Sequence, residues 1–369
     1  MRTARGLIAL GAMATIVLAA CGGGASPTPV PTTAPTTAPT VAPTVAPTVA
    51  PTEAPTAPPK AYKIGMVTDI GQLEDKSFNE FSWKGVQEGA AAVGSTAQVI
   101  VTKDTADYKT NIQTFVDQGY DVIVTVGFLI GSDTLAAAQA NPTIQFFGVD
   151  QFVADGGPSN YQGLIFVESQ PGYLAGIVAA SISQSGVIGT VGGQSNVPAV
   201  PAYINGYKNG AASVNPNIKV LVNYTESFNS PDKGEAAAKA MIGQKADVIF
   251  QVAGLTGAGA LRAACTAGKW GIGVDVDQYL SLPDAAACIV TSAEKRLQTA
   301  TSQAIQRFAA SGLQSGNNLG NAANDGIGIS EIRNITPPAD LQGKLDAALA
   351  GLKDGSIDPC KPIACDTVP

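Results

Sequence analysis

Aspartates recur directly after short apolar runs of this sequence, and they are its clearest candidates for chemistry. Asp69, Asp150 and Asp275 each follow such a run, and Asp75 lies a short distance beyond the first. Carboxylates at these places could hold Ca²⁺, act as acid and base, or accept hydrogen bonds from a ligand. The acids are spread along the chain, and no DxDxxxDD-like cluster occurs at one strand end. A binding role is therefore favoured, and a hydrolytic role is the less favoured hypothesis.

Histidine is absent from all 369 residues. This absence excludes Ser-His-Asp and Cys-His nucleophilic sites and every metal site that contains histidine. The formal net charge is −7, and the chain has no basic cluster, which argues against nucleic acid as a partner. We expect neither a cofactor nor a bound metal.

The first twenty residues have the features of an export signal. Arg2 and Arg5 precede an apolar stretch from Leu7 to Leu18, which is too short to cross a bilayer as a helix. The run LAAC that ends at Cys21, followed by glycines, resembles a bacterial lipobox and implies cleavage before Cys21 and lipidation of its sulfur. Two or more acyl chains hold a protein on a membrane stably. An ordinary secretory signal with a chance cysteine is the alternative.

Prolines recur at every fourth position from Pro31 to Pro55, separated mostly by Thr, Ala and Val. Proline removes backbone donors and fixes φ, so the segment is predicted to be an extended polyproline II spacer. Residues 21–60 are therefore interpreted as a lipidated, disordered stalk.

Four further cysteines lie far from Cys21 in the sequence. An even count in an exported protein predicts two disulfides, and we expect Cys265 to pair with Cys288 and Cys360 with Cys365. Four free thiols are the alternative. A zinc site built from all four is disfavoured because the first pair lacks CxxC-type spacing.

From Tyr62 onward, short apolar runs alternate with longer amphipathic segments rich in Ala and Gly. Runs such as VIVTV and VIFQV are apolar on both faces, as in parallel strands sandwiched between helices. The predicted strands are Lys63–Val67, Gln98–Thr102, Asp121–Val126, Gln145–Val149, Gly163–Val167, Val187–Val191, Lys219–Asn223, Asp247–Val252, Gly271–Val274, Cys288–Thr291 and Ile327–Ile332. The predicted helices include Phe78–Val93, Tyr108–Gln118, Tyr173–Ser183, Pro231–Ile242, Gly259–Ala267 and Ala293–Ala310. This alternation predicts a doubly wound α/β fold, and the number of strands favours two lobes with a cleft between them.

Polar residues and glycines follow several of the predicted strands. They are Asp69, Gly127 with Phe128, Asp150, Gly254, and Asp275 with Asp277. Ligands of open parallel sheets bind at the carboxyl ends of the strands. If both lobes point these ends at the cleft, the residues converge on one site.

The run VTDIGQLEDKSFN, from Val67 to Asn79, resembles the opening signature of the basic membrane protein (BMP) family of ABC-transporter substrate-binding lipoproteins. The similarity continues, in order and spacing, through GYDVI, GF, ESQPGYLAG, FNSPDKG, AGLTG, IGVDVDQ and TSAEKR, and it covers about Tyr62 to Arg333. Characterised members of this family bind purine nucleosides. The resemblance therefore implies a type I periplasmic-binding-protein-like fold, with two doubly wound parallel-sheet lobes joined by hinge crossovers.

The resemblance implies that Phe78 and Phe228, one from each lobe, sandwich a purine ring. Each Phe lies in a polar, turn-like stretch, which favours exposure in a cleft over the alternative of a core side chain. Asn79 would contact the purine edge, and Asp150 would accept from ring N–H groups. The alternatives are a helix cap for Asn79 and a solvent-exposed loop carboxylate for Asp150.

For the sugar, the resemblance implies that Asp69 and Asp275 accept hydrogen bonds from the ribose hydroxyls. Lys295 would donate to the ribose and neutralise these acids, although a solvated surface lysine is the usual alternative. Gly254 would let the backbone approach the sugar closely. Gly127 and Phe128 complete the predicted ligand-binding set.

The resulting hypothesis is a monomeric extracytoplasmic protein, anchored in the cell membrane through the Cys21 lipid, that delivers a nucleoside to an ABC permease. The predicted organisation is a signal (1–20), a stalk (21–60), a first lobe (61–166 and 292–325), a second lobe (167–291 and 326–358) and a tail (359–369). A receptor for a sugar or another small signalling ligand on the same fold is the main alternative, because fold does not fix ligand. A nucleoside hydrolase is a more remote one.

Overall fold

The computed structural model describes residues 60–365. The predicted signal, Cys21 and nearly all of the predicted stalk lie outside the described residues, as do residues 366–369 of the predicted tail. Those assignments stay predictions.

Two six-stranded sheets form the framework of residues 60–365. The first contains β1 (Lys63–Val67), β2 (Thr96–Ile100), β3 (Val122–Val126), β4 (Gln145–Val149), β5 (Tyr161–Phe166) and β11 (Gly316–Gly320). The second contains β6 (Val187–Gly192), β7 (Lys219–Tyr224), β8 (Val248–Val252), β9 (Trp270–Asp275), β10 (Ile289–Lys295) and β12 (Ile327–Ile329). Their spatial orders are β11-β5-β4-β3-β1-β2 and β12-β10-β9-β8-β6-β7. The paired strands are parallel except β12, which runs antiparallel to β10.

Each sheet and the helices that pack on it form one lobe. The first lobe carries α1 (Phe78–Ala92), α2 (Tyr108–Asp117), α3 (Gly131–Ala140) and α9 (Leu297–Ser311). The second carries α4 (Ser169–Ile182), α5 (Ala199–Val214), α6 (Pro231–Gly243), α7 (Gly254–Thr266), α8 (Gln278–Ser281) and α10 (Leu341–Asp354). The chain passes from one sheet to the other after β5, β10 and β11.

The central strands are buried along their whole length. Every residue of β3 (VIVTV) and of β8 (VIFQV) is buried, as expected of parallel strands covered by helices on both faces. The predicted fold class, two α/β lobes with mainly parallel sheets, is confirmed.

Several predicted element boundaries are wrong. The strand Cys288–Thr291 extends to Lys295 within the second sheet, so the helix predicted to begin at Ala293 begins at Leu297. The chain consequently crosses to the first lobe after Lys295, later than the predicted boundary at 292. Strand β11, GNNLG, was not predicted because it is an edge strand with three exposed residues and lacks an apolar run.

Two disulfides lie in the second lobe and the chain that follows it. Cys265, near the end of α7, is bonded to Cys288, directly before β10. Cys360 is bonded to Cys365 beyond α10. The loop closed by the second bond is held against α5, because the side-chain amide of Asn209 donates to the carbonyl oxygens of Pro359 and Ile363, both at 2.8 Å.

Candidate functional site

A cavity lies between the two lobes, where strands of both sheets end. It encloses about 670 Å³ of empty space, counted to its open mouth. All ten residues of the predicted ligand-binding set line it. The first lobe contributes Asp69, Phe78, Asn79, Gly127, Phe128 and Asp150, and the second contributes Phe228, Gly254, Asp275 and Lys295.

Asp69 follows β1 and is held in one orientation by its neighbours. Its Oδ1 accepts from the Tyr108 hydroxyl at 2.5 Å and from the backbone N–H of Ile70 at 2.7 Å. Its Oδ2 lies beside Gly127, where an added Cβ would come within 2.0 Å of that oxygen. Gly127 also has φ +99°, so the turn after β3 requires glycine for two reasons. Among the described residues Oδ2 has no hydrogen-bond partner and is free for a ligand.

The loop before α1 is organised by Asp75. Its carboxylate accepts from the backbone N–H groups of Ser77, Asn79 and Glu80, at 2.9–3.2 Å, and so caps the helix. The Asn79 side chain does not cap the helix: its Oδ1 accepts from Asp69 N and its Nδ2 donates to Gln72 O. Asn79 lines the cavity, but both the oxygen and the nitrogen of its side-chain amide are hydrogen-bonded to the backbone of the segment before α1.

Phe78 and Phe228 enter the cavity from opposite lobes, and neither belongs to the fully buried core. In the described structure the two rings make no ring contact with each other. The Phe228 ring lies directly over Gly193, at the end of β6, where an added Cβ would come within 2.1 Å of ring carbon Cε1. The Phe78 ring has the Lys295 amino group 4.8 Å from its centroid.

Lys295, the last residue of β10, is 3% exposed and surrounded by carboxylates. Its Nζ lies 2.5 Å from Asp150 Oδ2, 3.4 Å from Glu168 Oε1 and 3.9 Å from Asp275 Oδ1. Three acids therefore face one lysine. Asp150 and Asp275 have φ of +57° and +66°, a left-handed conformation that aspartate tolerates and that is frequent at functional sites.

Hydrogen bonds and the Lys295 ion pairs cross the cleft. Ser77 Oγ donates to Asp275 Oδ2 at 2.7 Å, and Ser281 Oγ donates to the carbonyl oxygen of Lys76 at 2.8 Å. Lys295, from the second lobe, pairs with Asp150, from the first. The lobes therefore lie closed around the cavity.

Burial raises the pKa of most acids of the site. It raises the pKa of Asp69 to about 6, although the Tyr108 hydrogen bond opposes the shift, and that of Asp75 to about 7 against its three backbone N–H donors. Burial also raises the pKa of Glu168, to about 7, and that of Asp275, in both cases against the charge of Lys295. For Lys295 itself burial lowers the pKa, but Asp150, Glu168 and Asp275 outweigh it, and the net direction is upward.

Several residues of the site were not in the predicted set. Glu168 lies in the ESQPG block, but nothing in its spacing indicates contact with a lysine far along the chain. Tyr203 lines the cavity from α5, and Gly193 supports the Phe228 ring. Among residues 60–365, no group of three or more His, Cys, Asp or Glu side chains is arranged to hold a metal ion.

The ABC transporter nucleoside-binding protein BmpA of Lactococcus lactis is 35% identical over 229 residues, which are 58% of this chain and 64%, slightly under two thirds, of that protein. The CD4+ T-cell-stimulating antigen of Listeria monocytogenes is 31% identical over 324 residues, 82% of this chain and 89% of that protein. A solved ABC transporter solute-binding protein of Aeropyrum pernix K1 superposes with a TM-score of 0.73 at 21% identity, covering 80% of this chain and 92% of its own, which supports the fold alone.

A family model described as ABC transporter substrate-binding protein PnrA-like matches residues 62–348, which include both sheets. None of the helices in the described part of the chain combines the length and the apolar character needed to span a bilayer. The match covers well over half of the sequence, and the chain therefore belongs to the Bmp family of PnrA-like ABC transporter substrate-binding proteins.

Proposed function

We propose that this chain is the extracytoplasmic, lipid-anchored receptor of an ABC importer and captures a nucleoside, with a purine as the favoured base, between its two lobes. The observation that carries the proposal is the pair of phenyl rings, one from each lobe, that line a single cavity. A flat heterocycle bound between two such rings would stack on both of them.

The base is held by stacking in this proposal. Stacking on an aromatic side chain contributes about 1–3 kcal/mol per base. Phe78 and Phe228 together could therefore supply a large part of the ~8 kcal/mol of a micromolar complex. Asp150 Oδ1 is buried and has no hydrogen-bond partner in the described structure, which suits it to accept from a ring N–H group.

The sugar is bound by carboxylates of both lobes. Asp69 Oδ2 is free, and Asp275 lies opposite it at the end of β9. Ionised carboxylates form short, strong hydrogen bonds with hydroxyl groups. Lys295 offsets the negative charge of Asp275 and Asp150, and its amino group can donate to a ribose oxygen.

Capture is coupled to lobe closure because both lobes supply binding groups. A ligand that contacts Phe78 and Asp69 on one side and Phe228 and Asp275 on the other favours the closed form and shifts the population towards it. Lipidation at Cys21, the extracytoplasmic location and delivery to a permease complete the proposal. The printed name of the L. lactis relative, a nucleoside-binding protein, supports the same ligand class.

A thermal-shift and titration panel tests the ligand class. Inosine, adenosine, guanosine, cytidine, uridine, hypoxanthine, ribose and glucose are each added to the purified chain. A ligand at about 100 times its Kd adds about 2.7 kcal/mol of stability, which is readily detected. Stabilisation by nucleosides, and most by purine nucleosides, is expected. Stabilisation by sugars alone would replace the proposal with the sugar-receptor alternative, and release of free base from inosine would replace it with the hydrolase.

A further inference from the structure

A second cavity, here called the side cavity, adjoins the central one near the crossing from β5 to α4. It contains about 1120 Å³ of empty space, counted to its mouth, and shares Phe128, Asp150 and Ala199 with the central cavity. Its other walls include Phe152 and Phe166 of the first lobe and residues at the beginnings of α4 and α5. It therefore also lies between the lobes and is shaped by their closure.

A polar group without a partner lies on the wall of this cavity. Ser169, the first residue of α4, is 1% exposed and lines the side cavity, yet its hydroxyl has no hydrogen-bond partner in the described structure. By contrast, the side-chain amide of Asn317, on the same wall, accepts from the backbone N–H of Val153 and donates to its carbonyl oxygen. A buried polar atom without a partner is rare, and the Ser169 hydroxyl therefore indicates a missing donor.

The charged residues that line the side cavity favour a bound cation. Asp150 and Glu168 line it, and no lysine or arginine is among its lining residues. Lys295 pairs with both acids and also lies near Asp275, so three carboxylates share one ammonium group. Buried carboxylates are stabilised by further positive charge.

The walls suit the carbon atoms of such a cation. Phe128 is 42% exposed and Phe152 40% exposed, although both are large apolar side chains. Aromatic faces attract ammonium groups and cover alkyl chains. Aromatic side chains together with carboxylates are the combination that organic cations prefer.

We propose that the side cavity is a binding site for a primary alkylammonium group, with Glu168 as its counter-charge and the Ser169 hydroxyl as a hydrogen-bond acceptor. The alkyl chain lies against Phe128 and Phe152. This site does not depend on the nucleoside proposal, since its charged and polar groups, Glu168 and Ser169, do not line the central cavity and its ligand chemistry is different.

Proton release provides an independent signature of the site. Burial raises the pKa of Glu168 to about 7, with Lys295 opposing and the charge of Asp150 adding to the shift. A second cation beside Glu168 favours the ionised carboxylate and so expels a proton. Amine affinity is therefore expected to rise as the pH increases from about 6 to about 8.

Isothermal titration of the intact detergent-solubilised chain tests the proposal with isoamylamine and with isoamyl alcohol, which has the same carbon skeleton but no charge. Saturable binding of the amine alone is expected. Phe152→Ala should weaken it roughly 2- to 30-fold, and Glu168→Gln at least about 10-fold. The matched controls, Leu280→Ala and Glu331→Gln, change exposed residues outside both cavities and should leave the amine affinity unchanged.

The proposal is overturned if the amine does not bind, if the alcohol binds equally well, or if neither Phe152→Ala nor Glu168→Gln alters the affinity. Inosine is titrated into the same samples, with and without saturating amine. Both ligands should bind together, and Phe152→Ala should leave inosine affinity unchanged because Phe152 does not line the central cavity. Competition between them would place the amine in the central cavity and also refute the site. Failure of inosine to bind would count against the nucleoside proposal alone.

Discussion

Removing the Phe228 ring should weaken nucleoside binding without unfolding the protein. The ring packs over Gly193 and also lines the cavity. Loss of one stacked face corresponds to about 1–3 kcal/mol, or roughly a 5- to 150-fold higher Kd for inosine. Phe228→Leu, which keeps apolar volume but has no π-face, should lose most of the same affinity.

The stability cost of Phe228→Ala should be modest. Truncation of a fully buried Phe costs about 3–5 kcal/mol, and Phe228 is only half-buried, in the loop before α6. Phe308→Ala is the matched control, because Phe308 packs edge-on against Tyr62, at 5.2 Å between centroids, and does not line the cavity. Isothermal titration with inosine and urea unfolding of all three variants separate binding from folding. An inosine affinity within about twofold of the wild-type value for Phe228→Ala would refute the stacking role.

Three further predictions follow from the site and the N-terminal sequence. Asp275→Ala should weaken the binding of inosine more than that of hypoxanthine, because the carboxylate is assigned to the sugar; calorimetry that finds equal losses would remove it from that role. Asp75 has a pKa raised to about 7 by burial, so the folded state holds this proton more tightly than the unfolded state. Its contribution to the free energy of unfolding is therefore fully present below about pH 4 and is lost as the pH rises towards and through 7. In urea titrations at several pH values, Asp75→Asn should flatten this decline, and an unchanged pH profile would contradict the assignment. Cys21→Ser should move the protein from the membrane fraction to the soluble fraction on immunoblots, and its persistence in membranes would indicate another anchor.

The lobes could be predicted because their strands carry strong local signals. β3 and β8 are continuous apolar runs, and the aspartates and glycines that follow the strands lie together because parallel strands end at the same edge. β11 was not predicted because its residues, GNNLG, form an edge strand of the first sheet and bury no apolar side chains. Its position is determined by pairing with β5, which no local pattern reveals.

Part of the cavity lining could be predicted, but its internal bonding could not. The motif predicts Asn79 as a site residue, and Asn79 lines the cavity, yet whether its amide faces a ligand or the loop depends on how Asp69 and Gln72 are arranged. Glu168 and Lys295 are far apart in sequence and meet only because the chain returns to the second sheet in β10. Such contacts depend on tertiary structure, and local spacing carries no information about them.

The most direct test is an experimental structure of the chain crystallised with inosine. We expect closed lobes, a hypoxanthine ring between Phe78 and Phe228, and ribose hydroxyls within hydrogen-bond distance of Asp69 and Asp275. A ligand bound elsewhere, or a base that touches neither ring, would contradict the proposed nucleoside site.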